Sequence, residues 1–470
     1  MIRFPSAPLL FVLIILASCG PTEVSKVVPS EDRGISPDSA FNSASARPDY
    51  DYAPSIFLEG GTEHIYWCGA EVNPTTGIET DVILYKTRNA GSESSTKIVL
   101  APSEGRWDSR FTCDPSVVAG NFINPEDGQK YAYAMYYTAT DVDTGTRGSI
   151  GVAFSNDKFT WVKYSRPVII PTITDLSAYG AGQAAVYNEG SQSDLVLFHT
   201  NVSRDTGSAI FVRTTEDGIN FSEPTQISIE GLVTGQRAVA NSEFVYDRSS
   251  GNIYAAINLP GRPGDRAEFA MGIYRTPADE LLAGRGSWEY LGSVDSNLTG
   301  YYLNHSPGIS RERDGTIRTG RAELDVTFGA GENSPATWDL KRVRWSESQA
   351  LALNRFYNPV QGDHIVSVRK VPPEGYRSEG NMGFIDTKWQ PDSQILYGCQ
   401  SSTDHFVSLD PNCEGGTALG INGFVYQEQP ANGVAIYRCY TGADHFVSND
   451  EGCEGEQTEQ LLGYVRTNGG

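Results

Sequence analysis

The stretch that decides the fold is Phe111–Val118, "FTCDPSVV", where Asp114 stands directly before a proline and a short apolar run. Its phrasing returns. "APSIF" begins at 53, "QAAVY" at 183, "NSEFVY" at 241 and "SPGIS" at 306. With Pro54, Pro115, Ala184, Ser242 and Pro307 taken as equivalent, the steps are 61, 69, 58 and 65 residues. A turn and a second apolar strand follow each start: "EGGTEHIYW", "EDGQKYAYAMYY", "SQSDLVLFHT", "SSGNIYAAIN" and "RDGTI". Third strands read "DVILYKT", "SIGVAFS", "SAIFVRT" and "MGIYRT", and the phrase closes on an aromatic in "NDKFTWVKY", "EDGINFSEP" and "GSWEYLG". One four-stranded sheet cannot bury both faces alone, so five such units over residues 49–348 predict a five-bladed β-propeller. Each innermost strand then starts at the axis. Asp114 looks into a central funnel, or else serves as a turn residue with its carboxylate on nearby amides.

From residue 353 to 470 another repeat takes over. "RFYNPVQGDHIVS", "LYGCQSSTDHFVS" and "IYRCYTGADHFVS" place Asp-His at 363–364, 404–405 and 444–445, and each unit ends in "GFID", "GFVY" or "GYVR". Three tandem units of about 40 residues predict a threefold, β-trefoil-like module, making the whole chain all-β. Cys399 and Cys413, and Cys439 and Cys453, sit 14 residues apart at matching offsets, and are expected to pair as disulfides. In the first unit Asn358 and Pro372 stand at those offsets. Cys68 and Cys113 are left to pair with each other or to stay free.

The N-terminus "MIRFPSAPLLFVLIILASCG" has Arg3, an apolar run too short to span a bilayer permanently, and then small residues. Residues 1–19 read as a signal peptide. Leu16–Cys19 resembles the lipobox of bacterial lipoproteins, which implies lipidation of Cys19 and, with Gly20 next, an outer-membrane address. Membrane attachment is expected through that lipid alone. Residues 20–48, rich in Ser and Pro, read as a flexible tether. A formal charge of -22 argues against nucleic acid, since phosphate binding needs clustered Lys and Arg. No Ser-His-Asp elbow, phosphate loop or zinc signature is present. "DVDTG" at 141–145 starts like a calcium loop but lacks the later ligands, and reads as a hairpin loop.

Together "DPSVV", "SIGVAFSNDKFTW" and "TTEDGINFSEP" resemble the five-bladed propeller glycoside hydrolases, the arabinanase, xylosidase and invertase group. The resemblance implies carboxylates projecting into the funnel: a first-blade Asp as base, a second-blade Asp that orients and tunes, and a Glu as acid. Hydrolysis needs two carboxyl groups flanking the glycosidic oxygen, one protonated and one ionised. Asp114 matches the second-blade position. Ala53 stands where the base belongs, leaving Asp51, or Asp49, as the substitute. Strand alternation would put Asp49, Asp51 and Ala53 on one side. Glu243 is the candidate acid, or an exposed blade residue. Asp49, Gln183, Asn241 and His305 are the expected substrate contacts. His305 is similar to a histidine beside a central metal in some of those enzymes, which would bring calcium near it; no other metal is expected. The C-terminal module resembles a bacterial repeat family of unassigned function. There Phe356, Tyr397 and Tyr437 serve as sugar-stacking platforms beside the Asp-His pairs, or each pair pins a turn while the aromatics fill a core. The expected function is a cell-surface lipoprotein that grips a polysaccharide through the funnel, hydrolysing it if the carboxylates converge, or a non-catalytic glycan-binding protein or adhesin.

Overall fold

In the computed structural model the described residues run from 50 to 467. Left out are 73–78, 90–91, 172–177, 191–192, 204–206, 229–240, 260–269, 300, 302, 320–322, 332–337, 348–349, 370–371, 388–389 and 391. Cys19 and Asp49 lie outside the described residues, as do the signal and tether segments. Among the described residues two compact units form, one within 50–293 and 303–343 and the other within 294–301 and 344–467. No described helix is long and apolar enough to cross a membrane.

The first unit is a five-bladed β-propeller. Inner strands Asp51–Glu59, Phe111–Ile123, Gly180–Asn188, Ser242–Asp247 and Leu303–Ile309 each begin an antiparallel sheet. Successive residues of these strands serve opposite faces, as the pleat demands. Val117 packs toward blade one with Phe57, Tyr66 and Met135, whereas Val118 packs toward blade three with Val186 and Leu197. Ala185 and Tyr187 turn to blade four, against Phe244 and Tyr274. Inner strands are therefore apolar on both faces. That is why the sequence shows continuous apolar runs there rather than alternation.

Blade five departs from the expected phrase. Its second strand is Glu323–Gly331, paired with Leu303–Ile309, and not "RDGTI". The segment 311–317 instead crosses the axis as a strap. Arg311–Glu312 pairs parallel with Phe57–Leu58 of blade one, and Thr316–Ile317 parallel with Tyr246–Asp247 of blade four. Between them the Ala119 amide donates to the Arg313 carbonyl at 2.7 Å and the Asn188 amide to the Asp314 carbonyl at 2.8 Å. Gly315 makes the turn possible. A Cβ there would sit 2.4 Å from the Val186 carbonyl oxygen, and its φ is +79°. A disulfide joins Cys68 to Cys113, linking blade one to blade two.

The second unit contains nine strands in one sheet, three per repeat: Ala350–Asn358, Asp363–Ser367, Arg377–Asp386; Ser393–Ser401, Asp404–Ser408, Thr417–Tyr426; Gly433–Tyr440, His445–Ser448, Gln457–Arg466. The third strands meet one another at Asp386–Phe424, Phe384–Arg466 and Tyr426–Tyr464. Threefold repetition is thus present, in units of three strands. Leu353, Val366, Ile385, Leu396, Val407, Val425, Ile436, Val447, Leu462 and Val465 form its core. Cys399–Cys413 and Cys439–Cys453 are bonded. Strand register corrects the equivalence drawn from offsets. Phe356, opposite Ile365, takes the place held by Cys399 opposite Phe406 and Cys439 opposite Phe446. The first hairpin is two residues longer than the others, which is why Asn358 misleads.

Candidate functional site

Each inner strand carries one left-handed residue at the same step. These are Ala53 (φ 50°), Asp114 (47°), Gln183 (55°), Asn241 (51°) and Ser306 (50°). Strand register slips beside four of them, between Tyr52 and Ser55, Cys113 and Ser116, Gly182 and Ala185, and His305 and Gly308. None of the five is glycine, so each conformation carries strain of about 1–3 kcal/mol that the surrounding ring must hold. Together with Pro54, Pro115, Ala184, Ser242, Glu243 and Pro307 they line one pocket, about 300 Å³ with the solvent space open above it.

Asp114 presents the ring's one carboxylate at that step. Its Oδ2 accepts the Tyr179 hydroxyl at 2.7 Å. Burial raises its pKa, with the Tyr179 and Thr138 hydroxyls pulling it down. Gln183 and Asn241 are joined twice: Gln183 Nε2 donates to Asn241 Oδ1, and the Asn241 backbone N–H donates to Gln183 Oε1 at 2.6 Å. Asn241 Nδ2 donates to His305 Nε2 at 2.5 Å, so the ring proton sits on Nδ1, which faces Ser306 Oγ at 2.6 Å. His305 stacks on Trp338 at 4.9 Å, and burial lowers its pKa to about 4. Both ring nitrogens of His305 are thus engaged by side chains of the ring. Among the described residues Ser242 Oγ and Asn258 Nδ2 are buried without a hydrogen-bond partner, and Ser242 is one of the residues lining the pocket.

Glu243 lines the pocket but is not free. Arg311, fully buried, donates from Nη1 to Glu243 Oε1 at 2.7 Å and from Nη2 to Ser55 Oγ at 3.1 Å and Ser116 Oγ at 3.0 Å. Burial pushes the Glu243 carboxyl up to about 7 against the pull of Arg311. Asp51 is not in the lining. Its Oδ1 takes the Trp67 indole N–H at 2.7 Å, and its amide pairs with the Trp338 carbonyl. Alternation fails to carry Asp51 to the axis because the slip after Tyr52 turns Ala53 left-handed. The pocket thus brings Asp114, Gln183, Asn241 and Glu243 together, sets His305 beside them, and leaves Asp51 out.

Sequence reasoning missed Arg311, Ser242, Tyr179 and Asp81. Asp81 accepts the Tyr52 hydroxyl at 3.2 Å, and burial raises its pKa to about 7, with the Asp114 charge adding to the rise.

In the second unit each Asp reaches the His of the following repeat rather than its own neighbour. Asp363 Oδ2 meets His405 Nδ1 at 2.7 Å, Asp404 meets His445 at 2.5 Å, and Asp444 meets His364 at 2.6 Å. The same carboxylates accept the histidine backbone amides at 2.8, 3.0 and 2.9 Å. These pairs clasp the repeats into a closed cycle. Phe356 is 1% exposed and offers no stacking face, while Tyr397 and Tyr437 are half-buried.

No protein-family model and no curated protein matches this sequence. Among solved structures the chain is similar to a family 117 glycoside hydrolase from the marine bacterium Zobellia galactanivorans, at 13% identity and TM-score 0.47, over 67% of this chain and 90% of that one. It is also similar to an α-L-arabinofuranosidase from Podospora anserina in complex with cellotriose (14%, TM-score 0.44, 66% and 94%). A third is the catalytic domain of a Coprinopsis cinerea α-L-arabinofuranosidase (14%, TM-score 0.45, 66% and 96%). Identities and scores this low carry no assignment of activity.

Proposed function

We propose that the propeller is a carbohydrate-binding module whose pocket grips one sugar ring of a polysaccharide without cleaving it. The supporting observation is the state of the carboxylates. Cleavage needs one acid and one ionised partner across the same bond. At the first-blade step stands Ala53, Asp51 is spent on Trp67, and Glu243 is held by Arg311. What remains is Asp114 as an acceptor, with Gln183, Asn241 and Ser242 beside it and walls of Pro54, Pro115 and Pro307. That suits hydroxyl recognition: a few placed polar groups in a small concave site. Lipidation at Cys19 would hold this module at the outer membrane, with residues 20–48 as tether and the glycan outside the cell as partner.

A second reading, hydrolysis, has one observation in its favour. Asp114 and Glu243 share the pocket, and a Glu243 carboxyl raised to about 7 carries a proton part of the time at neutral pH.

Residues 49–470, applied to a panel of plant and microbial polysaccharides, decide between them. Retention without released sugar, weakened at least tenfold by Asp114→Asn, is the expected result. Release of sugar that stops in both Asp114→Asn and Glu243→Gln establishes hydrolysis instead. Retention of nothing on the panel overturns the carbohydrate reading.

A further inference from the structure

Three junctions between repeats close the second unit, and they are not alike. At two of them an arginine reaches from one repeat into the preceding one around the cycle. Arg355 Nη1 donates to the Val447 carbonyl at 2.9 Å and to Glu454 at 2.6 Å, its Nε lies 3.1 Å from Glu379, and its guanidinium stands 5.6 Å over the Phe446 ring. Arg438 repeats the set with Glu414 at 2.6 Å, Glu459 at 2.7 Å, the Val407 carbonyl at 3.3 Å and Phe406 at 5.7 Å. Strand register makes Gly398 the third member. Arg355 lies opposite Val366, Gly398 opposite Val407, and Arg438 opposite Val447.

Of the acceptors of the third junction, the Val366 carbonyl and one carboxylate are kept. Glu374, before Gly375 and the strand from Arg377, stands at the sequence offset of Glu414 and Glu454 from their own strands, on a loop without the 3-10 turn and left-handed backbone that carry those two. It is exposed and has no hydrogen bond or ion pair among the described residues. A Cβ at Gly398 would touch only Asn422 Nδ2 at 3.6 Å, the Gly420 carbonyl at 3.9 Å and Leu419 Cβ at 3.9 Å, all ordinary contacts. Asn422 Nδ2 reaches the Val366 carbonyl at 3.4 Å, a long bond that leaves one lone pair of that oxygen over. Leu419 takes the place of Glu379 and Glu459, and Ile365 that of the phenylalanines. Leu419 and Ile421, 53% and 52% exposed, offer apolar flanks for an aliphatic stem.

We propose that this junction binds the guanidinium of an arginine side chain presented by another polypeptide. The fold itself shows what fits, since it fills the same slot twice with its own arginines. A chain of formal charge -22 also attracts a basic partner electrostatically. A lysine ammonium lacks the planar fork that reaches carboxylate and carbonyl together.

The test titrates the full chain with N-acetyl-arginine amide and, separately, N-acetyl-lysine amide, read by calorimetry and by amide chemical shifts around Gly398. Saturable arginine binding is expected, weaker by roughly tenfold in Glu374→Gln. It should be abolished in Gly398→Arg, which supplies the side chain from within. Glu374→Gln alters an exposed loop, so it reads the site even if Gly398→Arg folds poorly. Absent saturation, equal affinity for lysine, or undiminished binding in Glu374→Gln overturns the proposal.

Discussion

Arg311 ties Glu243 to Ser55 and Ser116 at the propeller axis, so one buried guanidinium joins blades four, one and two. Removing one partner of a buried ion pair leaves the other charge uncompensated, at a cost of about 3–5 kcal/mol. Arg311→Met is therefore expected to lose about that much stability. The double variant Arg311→Met with Glu243→Leu should regain most of it, because apolar replacements leave no charge behind. Urea unfolding of the two variants checks this. A double variant as unstable as the single one would show that the strap's backbone pairing, and not the ion pair, carries the energy.

His305 supplies the clearest pH dependence. Its folded pKa is about 4, lowered by burial, against an ordinary value near 6.5. Between those values the unfolded chain binds the proton and the folded chain does not, so stability falls as pH drops from about 6.5 to about 4. The contribution is fully present above 6.5 and amounts to roughly 3 kcal/mol at most. An NMR titration should find this imidazole neutral at pH 5.5. Below about 4, protonation of Nε2 breaks the bond from Asn241, and pocket affinity should fall with it. An imidazole titrating near 6.5 would contradict this.

The ring of Ala53, Asp114, Gln183, Asn241 and Ser306 is legible in the sequence because every blade must start its inner strand with the same geometry. Five occurrences of one phrase expose that constraint. Asp51 is misread because alternation assumes a regular pleat, and a one-residue slip after Tyr52 cancels it. Arg311 is invisible for a different reason. Its partners, Glu243, Ser55 and Ser116, lie between 68 and 256 residues away, and no local pattern encodes such a meeting. The Asp-His pairs look like local turn pins. Their real partners sit in another repeat, 42, 41 and, where the cycle closes, 80 residues distant.

Cys68–Cys113 closes a separation of 45 residues between blades one and two, next to Asp114. Constraining the unfolded chain over such a loop contributes about 2–4 kcal/mol. Cys68→Ala with Cys113→Ala should lower stability by that amount under oxidising conditions, and under reductant, which opens Cys399–Cys413 and Cys439–Cys453 in both proteins, the wild type should fall to the level of the reduced double variant. Thermal unfolding with and without reductant measures both. If the reduced wild type stays well above the double variant, the loss arises from packing around the two side chains, which are 0% and 8% exposed, rather than from the bond.

The cyclic clasp of the second unit predicts an order among three otherwise equivalent substitutions. Asp363, Asp404 and Asp444 each hold a histidine ring nitrogen and a backbone amide of another repeat, so Asp→Ala orphans two donors at each site. Unsatisfied donors cost about 1–3 kcal/mol each when water cannot reach them. Exposure should therefore set the ranking. The three carboxyl side chains are 4%, 19% and 8% exposed respectively, and Asp363 alone also accepts the Tyr376 hydroxyl. Asp363→Ala is expected to destabilise most, Asp444→Ala next and Asp404→Ala least. Amide hydrogen exchange at His405, His364 and His445 reads each clasp separately. Equal losses at all three would mean that closure of the cycle, rather than the burial of each clasp, sets the cost.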